Sequence, residues 1–285
     1  MDKLRLDNID NIDSLTNMLK LAFSNEDWHN MILIADRLYE ESSILYYYQL
    51  NQPSSKSSHD RPLIYYLGFS QLCKGEAYQK LKRYSESRDC ILKYKDLSWV
   101  KGVDEKDKFI IKDFSIFALG NTYTIDLMEG KEYVLKEYVQ YLKQYPREII
   151  AGMVTIFECA IKKNLPIEWV LTDLSDELNT IETNPENTTT ARYFTEYLCL
   201  FSLYKLKQEE YYDAVEKNLE ALASSVILCD NTAFKKLVAL FETLREFARS
   251  EQVIRYQTQL KNILEGVLMD EKDISLISIH SGNND

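Results

Sequence analysis

The chain has 285 residues, with 8 glycines, 5 prolines and a net charge of -11 that results from 34 Lys and Arg against 45 Asp and Glu. So few glycines and prolines leave too little turn chemistry for a sandwich or a barrel, whereas long helices need few breakers. The composition therefore predicts an all-α protein. The acidic balance argues against direct nucleic-acid binding, because a phosphate backbone repels a negatively charged surface.

Five cysteines lie far apart in the sequence without a CxxC pair: Cys73, Cys90, Cys159, Cys199 and Cys229. This spacing predicts reduced and mostly buried side chains rather than a disulfide framework. The first residues, MDKLRLDNIDNID, lack the apolar stretch of a signal peptide, and no uncharged run is long enough to cross a membrane. We therefore expect a cytoplasmic protein without membrane contact.

Apolar residues recur with helical spacing from Ser14 onwards and predict helices that come in pairs. The first predicted hairpin covers residues 1–50 and has its break at NED, residues 25–27. The polar run at residues 51–61 is bracketed by prolines and predicts a loop. A second hairpin follows, with its break at Lys82 and Arg83.

Four further hairpins extend the pattern, so that residues 62–270 are predicted to be one tetratricopeptide-like solenoid. Their breaks are expected at EGK (129–131), NLP (164–166), QEE (208–210) and RS (249–250). Asn and Thr of NPENTTT, residues 184–190, are expected to cap the fifth hairpin. The tail, residues 271–285, has no helical period and is expected to fray. The simplest interpretation is twelve helices in six hairpins.

Small and aromatic residues at fixed offsets relate these hairpins to the tetratricopeptide repeat. In that repeat a small residue at position 8 lets the two helices approach, and an aromatic at position 17 with small residues near position 20 seats the next pair. The matches are Gly75, Tyr78, Tyr84 and Ser87 in the second hairpin, Gly120 and Tyr123 in the third, and Ser202, Tyr211, Ala214 and Ala221 in the fifth. In the third hairpin the aromatic Tyr133 comes four residues late.

The sequence shows no sign of reaction chemistry. No nucleotide-binding, nucleophile-elbow or zinc-protease motif occurs, and no pair of the three histidines has metal-ligand spacing. The 20 tyrosines suggest stacking platforms for bases, but we interpret them as residues that seat one helix pair on the next, with the hydroxyl on a polar partner. We predict a protein that is not an enzyme and that has no cofactor or metal.

Asn121 is the leading candidate for ligand contact. It occupies position 9 of the third hairpin, which faces the concave groove in tetratricopeptide solenoids, and helix propensity gives asparagine little reason to be there. Its amide can bind the N–H and the C=O of an extended peptide together. The alternative is a helix cap or an interhelix hydrogen bond. Glu76, Gln79 and Lys80 hold equivalent positions in the second hairpin and Thr124 does so in the third, with an exposed polar role as the alternative.

Two segments carry a resemblance to a known family: KYKDLSWVKGVDEKDKF at residues 93–109 and ALGNTYTIDLMEGKEYVLKEYVQYLKQYPREIIAGMVTIFECA at residues 118–160. Their pattern resembles the sensor region of tetratricopeptide-containing transcriptional regulators of Gram-positive bacteria, the group of peptide-pheromone receptors that includes Rap, NprR and PlcR. The resemblance implies a right-handed superhelical solenoid whose concave face takes a short signalling peptide. Asn121 is the one position that we carry over from it.

The chain departs from this group at its beginning. Such regulators start with a helix-turn-helix DNA-binding domain, whereas MDKLRLDNIDNIDSLTNMLK leads directly into the first predicted repeat. Since no basic recognition helix is available, we do not expect DNA binding by this chain. Either the chain is a sensor module without its reader domain, or it is a paralogue that acts by binding proteins.

Two functional hypotheses remain open. The first is a regulatory solenoid that binds a short peptide or a protein. The second is a structural adaptor that holds a folded partner, or a second copy of itself in a homodimer. A groove rich in asparagine and charge favours the first hypothesis, whereas an apolar patch on a terminal hairpin favours the second.

Overall fold

A computed structural model describes residues 9–52, 59–179 and 188–272, and within these ranges the chain forms thirteen α-helices and no strand. The all-α prediction is confirmed. The helices are α1 (Ile12–Ser24), α2 (Trp28–Asn51), α3 (Leu63–Lys80), α4 (Tyr84–Tyr94), α5 (Lys108–Met128), α6 (Leu135–Gln144), α7 (Ile149–Lys163), α8 (Glu168–Asp173), α9 (Ser175–Asn179), α10 (Thr188–Lys207), α11 (Tyr211–Ile227), α12 (Asn231–Leu244) and α13 (Ser250–Lys272). Single 3₁₀ turns lie at Glu105–Asp107, Glu132–Val134, Pro146–Glu148 and Arg245–Phe247.

Parts of five predicted segments lie outside the described residues. They are residues 1–8 of the first hairpin, residues 53–58 of the loop, residues 180–183 at the end of the fourth hairpin, residues 184–187 of the expected cap and residues 273–285 of the tail.

The chain divides into two compact units, of which the first ends at Tyr141 and the second begins at Leu142. In the N-terminal unit consecutive helices pack on one another, from α1 on α2 through to α4 on α5. In the C-terminal unit α7 packs on α10, α10 on α11, and α11 on both α12 and α13. Neighbours in sequence are therefore mostly neighbours in space, as expected for hairpins with short connections.

One turn geometry recurs at six helix ends. One residue adopts left-handed backbone, and the N–H of the next residue donates to a carbonyl five positions back, as in a Schellman motif. The left-handed residues are Glu26, Lys82, Gly130, Asn164, Glu209 and Cys229. The first five of them lie in the predicted breaks of the first five hairpins, so these breaks are confirmed. Only one of the six is glycine, the residue that takes this backbone at least cost.

Gly75 and Gly120 both lie where two helices cross, as the repeat pattern predicts. A Cβ at Gly75 would lie 3.2 Å from the Cβ of Cys90 on α4, and one at Gly120 would lie 2.5 Å from the Tyr141 hydroxyl on α6. Each glycine therefore makes room for a side chain of the second helix of its hairpin.

Buried tyrosines join neighbouring helices through their hydroxyls, which supports the structural interpretation of these residues. Tyr66 on α3 donates to Asp13 on α1, and Tyr204 on α10 donates to Glu168 on α8 at 2.6 Å. Burial, followed by this hydrogen bond to Glu168, raises the pKa of Tyr204 to about 12. The ring fills the core while the hydroxyl stays hydrogen-bonded.

The fourth hairpin differs from the prediction, because its second helix is split into α8 and α9. Side-chain hydroxyls compete for backbone carbonyls at the split: Thr172 donates to the carbonyl of Glu168, and Ser175 donates to the carbonyl of Thr172. The same kind of bond occurs within uninterrupted α2, where Ser42 donates to the carbonyl of Leu38, so these bonds alone do not account for the split. The described residues thus contain thirteen α-helices, one more than the twelve that the sequence predicted for the chain.

The described cysteines are all free thiols. Cys73, Cys90 and Cys159 are buried, as predicted, and burial raises the pKa of Cys90 to about 11. Cys229 is exposed, because it occupies a left-handed turn position between α11 and α12.

Candidate functional site

An aromatic face lies where α3 meets α5 in the N-terminal unit. It consists of the half-buried rings of Tyr65, Phe69 and Phe117, arranged around the buried ring of Phe114. Tyr65 stacks on Phe69 with 5.2 Å between ring centroids, and Phe117 packs edge-on against Phe114 at 6.0 Å. Gly68 permits this approach, since a Cβ there would lie 2.5 Å from the Phe114 ring. The result is an apolar surface whose rings are partly open to solvent.

Asn121 lies one turn beyond Phe117 on α5 and is half-buried. Its Nδ2 donates to the hydroxyl of Tyr94, the last residue of α4, at 2.8 Å. Its amide oxygen has no hydrogen-bond partner among the residues that the structure describes. Asn121 therefore makes the interhelix hydrogen bond that the sequence left as one of two alternatives, and it retains an acceptor for a ligand.

Tyr94 is 1% exposed, and burial raises the pKa of its hydroxyl, while the hydrogen bond from Asn121 acts in the opposite direction. The nearby carboxylate of Glu76 contributes to the rise. Asn121 is thus held against Tyr94 by a hydrogen bond, and Glu76 influences the same hydroxyl through its charge.

Thr124 does not belong to an accessible site. It is 5% exposed, and its hydroxyl shares a hydrogen bond of 2.9 Å with the hydroxyl of Tyr138 on α6. Helical spacing from Asn121 placed it towards the groove, but α6 covers this side of α5. The prediction that Thr124 contacts a peptide is therefore corrected.

Glu76, Gln79 and Lys80 lie on the last turns of α3, and each is half-buried. Glu76 and Lys80 already interact with neighbouring groups. The side chain of Gln79 has no hydrogen-bond partner in the described part of the chain, so its amide is available. Sequence reasoning found these polar residues but missed the aromatic face. The signal for it was the four-residue spacing of Tyr65 and Phe69 on α3 and the three-residue spacing of Phe114 and Phe117 on α5.

A second surface, the α2 patch, consists of Ile44, Tyr47, Tyr48 and Trp99, which are 46 to 62% exposed. Buried Tyr46 supports it, because the Trp99 ring packs edge-on against the Tyr46 ring at 5.9 Å. Apolar side chains that are this exposed on neighbouring elements are typical of surfaces that contact another macromolecule.

The C-terminal unit contains an open cleft of about 370 Å³, lined by Ala160, Asn164, Pro166, Glu168, Tyr204, Lys207 and Gln208. Most of its polar groups pair with one another. Tyr204 donates to Glu168, and Lys207 donates to Asn164 at 2.7 Å and to a carbonyl at the end of α7. We interpret these groups as caps of α7 and α8 rather than as ligand contacts.

Two negative findings apply to the described ranges. No cluster of three or more His, Cys, Asp or Glu side chains there has a metal-binding arrangement, and no helix there has both the length and the apolar character to cross a bilayer.

Comparison with known proteins identifies no relative: no protein-family model matches the chain, and no curated protein or solved structure shows significant similarity to it.

Proposed function

We propose that this chain is a regulatory module of tetratricopeptide-like repeats that binds a short peptide or a protein segment. In this proposal its six hairpins form a right-handed superhelical solenoid, which acts as the sensor part of a bacterial transcriptional regulator in the cytoplasm. It has no cofactor, performs no reaction and does not contact DNA itself. The recurrent turn of the first five hairpins supports the repeat architecture, since equivalent units are expected to use equivalent connections.

The observation that carries the proposal is the aromatic face next to Asn121. Partly exposed rings accept apolar side chains of a ligand, while a fixed amide binds its backbone. Glu76 and Gln79 lie further along α3 than Tyr65 and Phe69, and in this proposal they make further polar contacts with the peptide. An extended peptide offers both kinds of group that this surface binds: apolar side chains for the aromatic face, and a backbone N–H and C=O for the amide of Asn121.

Selection from a phage-displayed library of random heptapeptides tests the proposal. We expect recovered peptides to contain apolar side chains and to bind the purified chain in calorimetric titrations. Asn121→Ala is expected to weaken binding by about 1 to 3 kcal/mol, and Phe117→Ala is expected to weaken it as well. Lys112→Ala, an exposed change on the same helix, serves as the control.

Titrations must be made well below the melting temperature, since Asn121→Ala also removes the partner of buried Tyr94. Binding of a recovered peptide that is unaffected by both Asn121→Ala and Phe117→Ala would show that the site lies elsewhere. Failure to recover any binding peptide would count against the proposed function as a whole.

The α2 patch favours a second candidate, a structural adaptor that binds a folded protein or forms a homodimer. Light scattering across a concentration series tests the homodimer, with Tyr47→Lys as the disrupting variant. A dimer that dissociates in this variant supports the adaptor. If the protein is a monomer at all concentrations, the homodimer is excluded and only an adaptor that binds a different folded protein remains.

A further inference from the structure

We propose that Tyr94 is a positioning residue for Asn121, whose amide it holds in the orientation that a peptide backbone requires. This inference rests on the proposed function. Tyr94 itself is 1% exposed and has no route to a ligand. Its ring packs edge-on against Phe114 at 6.1 Å, so it is fixed by the core that supports the aromatic face.

The hydrogen bond between Asn121 and Tyr94 leaves one N–H and the oxygen of the Asn121 amide available. The Nδ2 of asparagine carries two hydrogens and Oδ1 is an acceptor. Tyr94 takes one hydrogen at 2.8 Å, which leaves one N–H and the oxygen. These are the two groups that a contact with a backbone C=O and N–H requires. The interhelix bond and the peptide contact, which were alternatives for Asn121, are therefore compatible.

The hydroxyl of Tyr94 has no other hydrogen-bond partner in the ranges that the structure describes, so it stays committed to Asn121. A tyrosine hydroxyl keeps its proton at physiological pH, and burial raises the pKa of this one further. A neutral acceptor on a fixed ring defines the plane of the amide. The conformational entropy of the Asn121 side chain is thus already lost before a ligand arrives, which favours binding.

Tyr94→Phe removes only the hydroxyl and keeps the ring in the core. We expect this variant to bind a heptapeptide recovered in the selection about 3- to 10-fold more weakly, because the amide becomes free to rotate. Tyr138→Phe is the matched control. It removes another buried hydroxyl that bonds to α5, at Thr124, but it does not touch Asn121. We expect Tyr138→Phe to lower the melting temperature of the protein without lowering its affinity for the peptide.

A double-mutant cycle decides whether Tyr94 acts through Asn121. In the Asn121→Ala background, Tyr94→Phe should cause no further loss of affinity. Wild-type affinity of Tyr94→Phe overturns the inference, and so does an equal loss in both backgrounds.

The side-chain amide signals of Asn121 in ¹⁵N–¹H spectra provide a readout that needs no peptide. They should shift in Tyr94→Phe and stay in place in Tyr138→Phe. If no library peptide binds the wild-type chain, the proposed function fails, and these spectra still decide the positioning. Unchanged Asn121 signals in Tyr94→Phe would then overturn it too.

Discussion

The hydroxyl of Ser87 donates to the carbonyl of Gly75 across the second hairpin, at 2.7 Å. The fifth hairpin contains the same contact with its direction reversed, since the hydroxyl of Ser202 donates to the carbonyl of Ala214, also at 2.7 Å. In each hairpin a small residue at position 8 lies opposite a small residue at position 20, and one serine connects the two helices. The small residue at position 8 thus lies at the approach of the two helices, as predicted, whereas the small residue near position 20, which was expected to seat the next pair, contacts the first helix of its own hairpin.

Ser87→Ala is expected to lower the free energy of unfolding by about 1 kcal/mol, the net value of one hydrogen bond in a tight crossing. Ser202→Ala is expected to have a similar effect in the C-terminal unit. Urea titrations measure both changes. Ser85→Ala, an exposed change at the start of α4, should stay within about 0.5 kcal/mol of wild type. Equal effects of Ser85→Ala and Ser87→Ala would show that the contact contributes nothing specific.

Substitutions at Gly75 should depend on side-chain size. In Gly75→Ala the new Cβ would lie 3.2 Å from the Cβ of Cys90, but the gain in helix propensity of about 1 kcal/mol opposes this strain, and we expect little net change. Gly75→Leu has no space and should cost about 1 to 3 kcal/mol through overpacking. Thermal melts of both variants check the series, and an unchanged melting temperature for Gly75→Leu would be incompatible with the crossing.

Lys82→Gly should stabilise the chain by about 0.5 to 1 kcal/mol, because Lys82 has a φ of 60° and glycine adopts this backbone without a steric cost. The same change at Lys112, in the interior of α5, should destabilise by a similar amount, since glycine is a poor helix former. The same Lys→Gly change is thus expected to alter stability in opposite directions at these two exposed lysines. If both variants are destabilised in denaturant titrations, the left-handed turn after α3 does not exist in solution.

Glu242 should contribute acid-sensitive stability to the contact between α12 and α13. Hydrogen bonds from Arg245 and then from Tyr256 lower its pKa from 4.5 to about 2. A carboxylate with a lowered pKa in the folded state stabilises it above its unfolded pKa, and this contribution is lost as the pH falls from about 4.5 to about 2. Glu242→Gln should therefore be less stable than wild type at pH 7, and the difference should shrink across that window.

Unfolding titrations between pH 7 and pH 2 measure this difference, and added salt should reduce it, because the side chain is largely exposed. Glu246→Gln is the control, since this exposed carboxylate makes no ion pair within the described residues. A difference between Glu242→Gln and wild type that is the same at pH 7 and pH 2 would contradict the prediction.

The candidate site shows how far a single sequence can be interpreted. The sequence singled out Asn121 because helix propensity does not favour a polar amide in the middle of an apolar helix. In the structure this amide donates a hydrogen bond to Tyr94, which is 27 residues away. Thr124 has the same kind of sequence context but is covered by Tyr138. Helical spacing specifies the side of α5 on which a residue lies, but it does not specify which other helix covers that side.

The sequence by itself determined the helical class, the positions of five hairpin breaks and the small residues at helix crossings. These features depend on local periodicity, on scarce breakers and on side-chain size, all of which are present in the residues themselves. Only the tertiary structure decided which polar groups are covered, that Tyr65 lies beside Phe69 and Phe114, that Phe114 meets Phe117, and that Asn121 donates to Tyr94. Each of these depends on contacts between helices that are distant in the chain, and such contacts arise from packing, which no local pattern encodes.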